Sequence, residues 1–362
     1  MAITATSGIF GWGLNAAGGK GSAPTVWYKH RSADIDLAIL DDVRLATPEI
    51  GGIPTPTFPY KAGYMAGGGA TIFPRLKDTI GALLLATLGS DDIVTNAGKS
   101  LITDLAVAGL IRHDFAFAST ASFVPYMGFK KVIPHDESAK VVTETYTDCK
   151  IVGLTLTFPN DGPISARVDA VGCGFSTGKN LTNTWNNANY EDWDSAPIST
   201  VAGGYVKFAG TSLPVVGASV ALVNSPLDIR MEKVYGSPQL EAVTIVGRSV
   251  SFDILVKWND PDLYQQIVTG SAGGTAWTAT PFTGAVSILG QSVGLIGTTP
   301  LNIPYAIRVD APNVLLQQVG GVRLGSGQSL MLRLNGTALA PSSGNYVTIG
   351  IHNTHSGAYA LP

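Results

Sequence analysis

Cysteine is nearly missing from this chain: two residues, Cys149 and Cys173, in 362. That excludes a disulfide-rich scaffold. Charge is scarce as well, at 14% of residues, and the formal net charge of −3 supplies no basic footprint. A surface that clamps nucleic acid through its phosphates is therefore not expected, although an acidic wall past which DNA slides is compatible with the balance. Long apolar runs are also lacking, since the longest, around Ile80 to Leu88, is far too short to span a bilayer. The amino terminus Met1-Ala2-Ile3-Thr4-Ala5-Thr6-Ser7 has no basic segment followed by an apolar one, so no secretory signal and no membrane partner are expected. A protein made in a cytoplasm is the simplest expectation.

What is present is glycine, at 43 residues, and an apolar fraction of 45%. Many glycines interleaved with Thr, Val and Ser suit a chain of many strands and tight turns. The fold class is read as mainly β. The length allows two domains or one large all-β assembly with an ample core.

The stretch Gly67 to Gly89 organises the first half. Its glycines permit a sharp turn, a short extended segment follows, and Pro74 stops the strand. Asp78 is placed to cap a helix in which Ile80, Leu84 and Leu88 share a face with Leu83 beside them, and Gly89 stands where helices commonly end. A second such unit runs from Arg248 to Trp258 as a strand, through Asn259-Asp260-Pro261-Asp262, into a helix bearing Leu263, Ile267 and Val268 before Gly270. Aligning Gly89 with Gly270 sets Asp78 on Asn259, which points to an internal duplication.

Between these units the chain offers one arm, one clear hairpin and one unusual connection. Residues 42–64 hold four prolines, several glycines and little periodicity, the pattern of a long binding loop. Cys149 to Phe158 alternates, Asn160-Asp161-Gly162 supplies turn chemistry, and Ile164 to Gly172 alternates back. Pairing symmetric about Asp161 sets Phe158 against Ile164, Leu156 against Ala166, Leu154 against Val168 and Val152 against Ala170. The other face pairs Thr157 with Ser165, Thr155 with Arg167 and Gly153 with Asp169. The same register puts Cys149 opposite Cys173, within reach of a disulfide, while a reducing cytoplasm favours two thiols. Lys179 to Pro197 is rich in Asn, with Trp185, Tyr190 and Trp193, and reads as the connection between halves, able either to bind sugars or to pack on a neighbouring subunit. The second half closes like the first, as strand, Gly325-Ser326-Gly327 turn, strand, with Leu332-Arg333-Leu334-Asn335 where Ala166-Arg167-Val168-Asp169 stood. Tyr346 to Ile349 reads as an edge strand in a trailing segment.

Catalytic patterns are weak. Gly290-Gln291-Ser292-Val293-Gly294 matches a nucleophile elbow, with Asp310 and His352 or His355 downstream, but the elbow needs a helix after the serine and Leu295 to Pro300 cannot form one. Gly98-Lys99-Ser100 ends like a phosphate-binding loop, yet the required earlier glycine is Ile93. Of the histidines at 30, 113, 135, 352 and 355, only His352 and His355 are close enough in sequence to suggest metal ligation. Asp41-Asp42 and Asp91-Asp92 fit capped, solvated turns. Asn180-Leu181-Thr182 and Asn335-Gly336-Thr337 match a glycosylation acceptor, which means little without a secretory signal. No catalytic residue, cofactor-binding residue or metal ligand is assigned, no cofactor is expected, and the chain is not expected to be an enzyme.

Three segments carry a resemblance. Gly69-Ala70-Thr71-Ile72-Phe73-Pro74 through Asp78-Thr79-Ile80-Gly81-Ala82-Leu83-Leu84, Tyr146-Thr147-Asp148-Cys149-Lys150-Ile151-Val152-Gly153-Leu154-Thr155-Leu156, and the early Phe10-Gly11-Trp12-Gly13 with Ala23-Pro24-Thr25 together resemble the tail tube (major tail) proteins of long-tailed, non-contractile bacteriophages. The likeness covers most of residues 8–175 and, more weakly, 215–340. It implies a β-sandwich or partial barrel flanked by one short helix, with a loop arm reaching the neighbouring ring. It implies a structural subunit of the virion tail, assembled in the host cytoplasm into stacked rings whose lumen conducts DNA without specific binding. Tail terminator, tape measure and distal tail proteins are the implied partners. Here two such folds are expected: 1–178 with the arm at about 42–64, a connection at 179–199, a second fold at 200–341 and a C-terminal segment at 342–362. Rings of three subunits with pseudo-sixfold symmetry follow, with a homohexamer as the alternative. A different virion β-protein, such as a baseplate or carbohydrate-binding module, is the competing reading.

Overall fold

A computed structural model of the chain describes residues 8–47, 52, 55, 58–76, 79–93, 99–103, 106–118, 124–185, 198–201, 203–258, 261–279, 281–296, 302–320, 322, 329–355 and 357–359. The chain is mainly β, as its composition requires. It opens with β1 (Ile9–Leu14), β2 (Tyr28–His30), β3 (Ser32–Ile35) and β4 (Ala38–Leu45), then β5 (Pro59–Ile72), α1 (Thr79–Leu88), β6 (Gly89–Ile93), β7 (Ile111–Phe117) and β8 (Met127–Ile133). The hairpin β9 (Val142–Pro159) and β10 (Ser165–Lys179) follows, then β11 (Tyr205–Phe208), β12 (Thr211–Ser212), β13 (Val215–Pro226) and β14 (Ile245–Lys257). After α2 (Asp262–Thr269) come β15 (Thr283–Ile296), β16 (Ile303–Gln318), β17 (Met331–Ala338) and β18 (Thr348–Asn353).

Eight antiparallel strands run side by side in the order β4, β5, β10, β9, β13, β14, β17, β16. Alternation decides which way each side chain points. One ladder row joins Ile72, Ala166, Leu156, Val220, Phe252, Gly336 and Leu316 across seven strands. Every member is buried. Burying a side chain the size of Leu156 or Phe252 contributes about 1.5–3 kcal/mol, so a row like this fixes the register of the whole sheet. The same buried cluster takes in Phe10 and Trp12 of β1, Phe129 of β8 and the apolar residues of α1.

The β9–β10 hairpin keeps the expected pairs near its turn, with Leu156 opposite Ala166, Leu154 opposite Val168 and Gly153 opposite Asp169. Farther on it departs. A bulge between Asp169 and Ala170 sets Ala170 opposite Ile151 rather than Val152, and Gly172 opposite Cys149. One extra residue flips every later side chain to the other face. Cys149 therefore lies in the main core and Cys173 in a small separate cluster, and both are free thiols.

The expected loop at 42–64 begins and ends in strand, in β4 up to Leu45 and in β5 from Pro59. β4 pairs with β5 from Ala38–Gly67 to Leu45–Pro59, so the arm is a two-stranded ribbon. Its prolines cluster at 48, 54, 56 and 59, around the tip and at the first residue of β5, where a missing N–H costs the ladder nothing. The tip itself lies largely outside the described residues, as do the expected caps Asp78 and Asn259 and the Gly325 to Gly327 turn.

Both helices end at their glycines, where Gly89 (φ 94°) and Gly270 (φ 78°) take the left-handed conformation that favours glycine. Ile80 and Ala82 through Ala86 are buried, so α1 is enclosed all round rather than along one face. Tyr359 closes its outer side: a Cβ on Gly81 would lie 2.1 Å from that ring. Asn224 of β13 donates to the Thr87 carbonyl of α1 and to the Ile151 carbonyl of β9, each at 3.0 Å, tying the halves together. The trailing segment is not an edge. β18 pairs with β16 on one side and β7 on the other, joining a strand from each half.

Candidate functional site: the polar face of the long sheet

The opposite face of the eight strands is built from the residues between the core positions. One row reads Thr71, Arg167, Thr155, Ala221, Ser251, Thr337 and Leu315. The next reads Ser165, Thr157, Ser219, Asp253, Asn335 and Gln317. These are small or uncharged side chains with few exceptions. Thr157, Ser251, Thr337 and Asn335 are exposed, so this part of the face stands open to solvent.

Its arginines are occupied. Arg167 Nη2 donates to Asp36 Oδ2 at 2.6 Å, and Arg167 Nε donates to Asp169 Oδ1 at 2.9 Å. Arg333 holds both carboxylate oxygens of Asp253, from Nε at 2.9 Å and from Nη2. Partial burial opposes ionisation of Asp36, but hydrogen bonds from Arg167 and the Gly69 amide outweigh it and hold its pKa below the ordinary carboxylate value. The Asp253 hydrogen bond raises the pKa of Arg333 further still. Planar two-point pairing of this kind neutralises a guanidinium where it stands. Lys257, at the end of β14, shares the face with Asp253 and Leu255. The sequence singled out Arg167 and Arg333 as matching positions but not their partners Asp36 and Asp253. Asp253 was legible as the outward residue between Phe252 and Ile254; Asp36 reaches Arg167 only because β5 and β10 pair.

The weak catalytic patterns do not converge. Ser292 lies within β15, and its hydroxyl donates to the Gly294 carbonyl at 3.0 Å. Asp310 accepts from Ser287 at 2.7 Å and from Arg308 at 2.6 Å. His352 accepts the Leu101 N–H at Nδ1 and donates from Nε2 to the Pro304 carbonyl, so both ring nitrogens are used. His355 instead stacks on Tyr359, with ring centroids 4.2 Å apart. His113, at 3.0 Å from Asp91, belongs to that same buried group. Ser100 accepts from the Ile102 amide at 3.0 Å, a local turn; Gly98 lies outside the described residues. Asp91 and Asp92 stand on β6, Asp41 and Asp42 on β4, where Asp41 pairs with Lys61 and Asp42 with Arg44.

Trp185, in the Asn-rich connection, packs on the protein itself. A Cβ on Gly11 would lie 2.4 Å from its ring, and Lys130 Nζ sits 5.3 Å from its centroid and 4.3 Å from that of Trp27. Burial lowers the pKa of Lys130, consistent with an ammonium held between two indoles. Tyr190 and Trp193 lie outside the described residues. No helix among the described residues is long and apolar enough to cross a membrane.

No curated protein matches the chain. A family model described as phage tail tube protein matches residues 21–340, a span that includes the arm, both helices and all eight strands of the long sheet. With a mainly β fold that presents one continuous polar sheet face, this chain belongs to the phage tail tube protein family, whose members are structural subunits of the virion tail.

Proposed function

We propose that the polar face forms part of the lumen wall of a ring, and that stacked rings conduct DNA into the host. The observation that carries this reading is the pair of ladder rows on that face. Apart from Leu315, Arg167 and Asp253, the side chains across them are Ser, Thr, Ala, Asn and Gln, and Arg167, like Arg333 in the adjoining row, is bound to aspartate. Unpaired cations facing the channel would each hold a phosphate and release its counterions, slowing passage. A wall whose arginines are neutralised, with Lys257 only at the end of β14, lets the polyanion slide.

The arm supports stacking. Leu40, Val43, Leu45, Phe58 and Tyr60 are all exposed on the β4–β5 ribbon, more apolar surface than an isolated ribbon would leave in water. In this reading they dock on the adjacent ring. Tube ends engage the terminator, the tape measure and the distal tail proteins, and assembly takes place in the host cytoplasm.

The strand order supports a reading of the ring symmetry. β4, β5, β10 and β9 form one run, and β13, β14, β17 and β16 repeat its logic: an outer strand, a strand leading into a helix, then the last strand and its partner. Read as a duplicated tube fold, three chains close a ring of six similar lobes. Electron microscopy of purified tubes or tails, viewed end-on, tests this. Three chains with six lobes are expected. Six full chains per ring would keep the tube and discard the duplication, and a chain that never assembles would overturn the reading.

A further inference from the structure

The arm has a built-in bend, and the second half of the chain holds it. In the β4–β5 ribbon the register shifts after Asp42, which lies opposite Gly63, whereas Val43 lies opposite Lys61. The extra residue, Ala62, makes a bulge, which bends a strand and raises its twist. Gly63 has φ 152°, a conformation that residues with a Cβ rarely adopt. Outboard of the bulge, the hydrogen bonds and ion pairs among the described residues stay within the ribbon: Ala46 with Phe58, Arg44 with Asp42, Lys61 with Asp41. Among these residues the outer arm is steered only at its bend.

Residues 227–244, which join β13 to β14, fold back onto that bend. They form a small hairpin, with Lys233 bridged to Leu240 and the Glu241 amide donating to the Glu232 carbonyl at 2.8 Å. Underneath, Leu240 and Val243 meet Met65 of β5 in the second apolar cluster. At the bend, the Tyr64 amide donates to the Pro238 carbonyl at 2.8 Å and the Tyr64 hydroxyl to Gln239 Oε1 at 3.1 Å, while Lys233 Nζ stands 3.4 Å from Asp42 Oδ2. The fit leaves no slack. A Cβ on Gly63 would lie 2.6 Å from the Pro238 carbonyl oxygen and 2.8 Å from Lys233 Nζ. A partly exposed ion pair contributes little alone, but here it joins two hydrogen bonds, an apolar underside and a steric stop.

We propose that residues 227–244 are a brace that sets the direction of the arm before it docks, with Lys233 and Gly63 as positioning residues. The inference rests on the reading of the arm as a docking element. In the proposed duplication β13 and β14 stand for β4 and β5, so the brace is the second half's counterpart of the arm, folded onto the first. A preset arm keeps its competent direction populated, whereas a swinging arm binds more weakly in proportion to the time it points elsewhere.

Spin labels on Leu45→Cys in the outer arm and Ser251→Cys on β14 report arm direction in the unassembled chain. Both positions are exposed, and the native thiols at 149 and 173 are buried. Otherwise unaltered chains should give one narrow distance distribution. Lys233→Asp, which sets a carboxylate beside Asp42, and Gly63→Ala, which inserts a Cβ at the contact, should each widen it about two-fold, while Lys233→Arg keeps it narrow. In unlabelled chains the two widening variants should extend tubes about ten-fold more slowly, the effect of leaving about a tenth of the arms competent. A distribution already broad without the variants, or unmoved by both, overturns the brace. Widening without slower growth overturns its role in docking. A wild-type chain that never forms tubes removes the docking reading alone, and the label distances still decide the brace.

Discussion

Two histidines are buried in their neutral form, and the consequence is acid sensitivity. His30 stacks on Trp12 at 4.8 Å, and His352 is pinned between Leu101 and Pro304; burial first, against a smaller opposing hydrogen bond, lowers both pKa values from 6.5 to about 4. The unfolded chain takes up these protons near pH 6.5 and the folded chain only near 4. Their contribution to stability is therefore complete above about pH 6.5 and lost as the pH falls toward 4, at about 1.4 kcal/mol per pH unit for each group. Denaturant midpoints should drop clearly between pH 7 and pH 5; equal midpoints would show that neither ring is buried neutral. On the polar face, Asp253→Asn keeps the shape of the side chain and frees the Arg333 guanidinium. Particles carrying it should eject DNA more slowly than wild type at low ionic strength, followed by dye fluorescence. The difference should vanish near 1 M salt, where the screening length is about 3 Å. Equal ejection rates at low salt would argue against a lumen position for Asp253.

At the scale of the element, β18 bears the most connections for its length. Ile349 lies opposite Val309 of β16 and Phe115 of β7, and all three are buried. Ile349→Pro removes a ladder donor in the middle of a sheet and forces its ring against a neighbour, with an expected cost of about 3 kcal/mol. Chemical denaturation of the assembly-free chain measures it, and an unchanged midpoint would mean that the C-terminal strand is dispensable. The two helices show how the same local signal meets different surroundings. α1 is enclosed by the sheets and Tyr359, whereas α2 has no fully buried residue and rests Leu263, Tyr264 and Ile267 on the core.

For the molecule as a whole, the β4–β5 ribbon carries exposed apolar residues, which the proposed tube would bury between rings. Leu45→Asp combined with Phe58→Asp, at residues 61% and 58% exposed, should leave folding unchanged and shorten or abolish tubes in electron micrographs. Tubes of wild-type length would assign the ribbon some other partner.

Several features were fixed by local chemistry and are read directly from the residues. Alternation near Asn160 to Gly162 determined the Leu156–Ala166 and Leu154–Val168 pairs, because a tight turn and one apolar face leave a single register. Glycines at 89 and 270 determined where the helices stop, since a left-handed residue ends the hydrogen-bond ladder. The matching arginines at 167 and 333 were visible for the same reason: each sits one residue out of phase with the core. Tertiary structure decided what depends on distant strands. The bulge at Asp169–Ala170 separates Cys149 from Cys173, and no local signal marks it. The arm is a ribbon because β5 is long enough to pair with both β10 and β4, so its proline-rich composition describes the tip and not the strands. β18 became an interior strand because β7 and β16 each had an edge to satisfy. A single strand of sequence records the face it buries, but which strand lies beside it is settled by every other edge in the molecule.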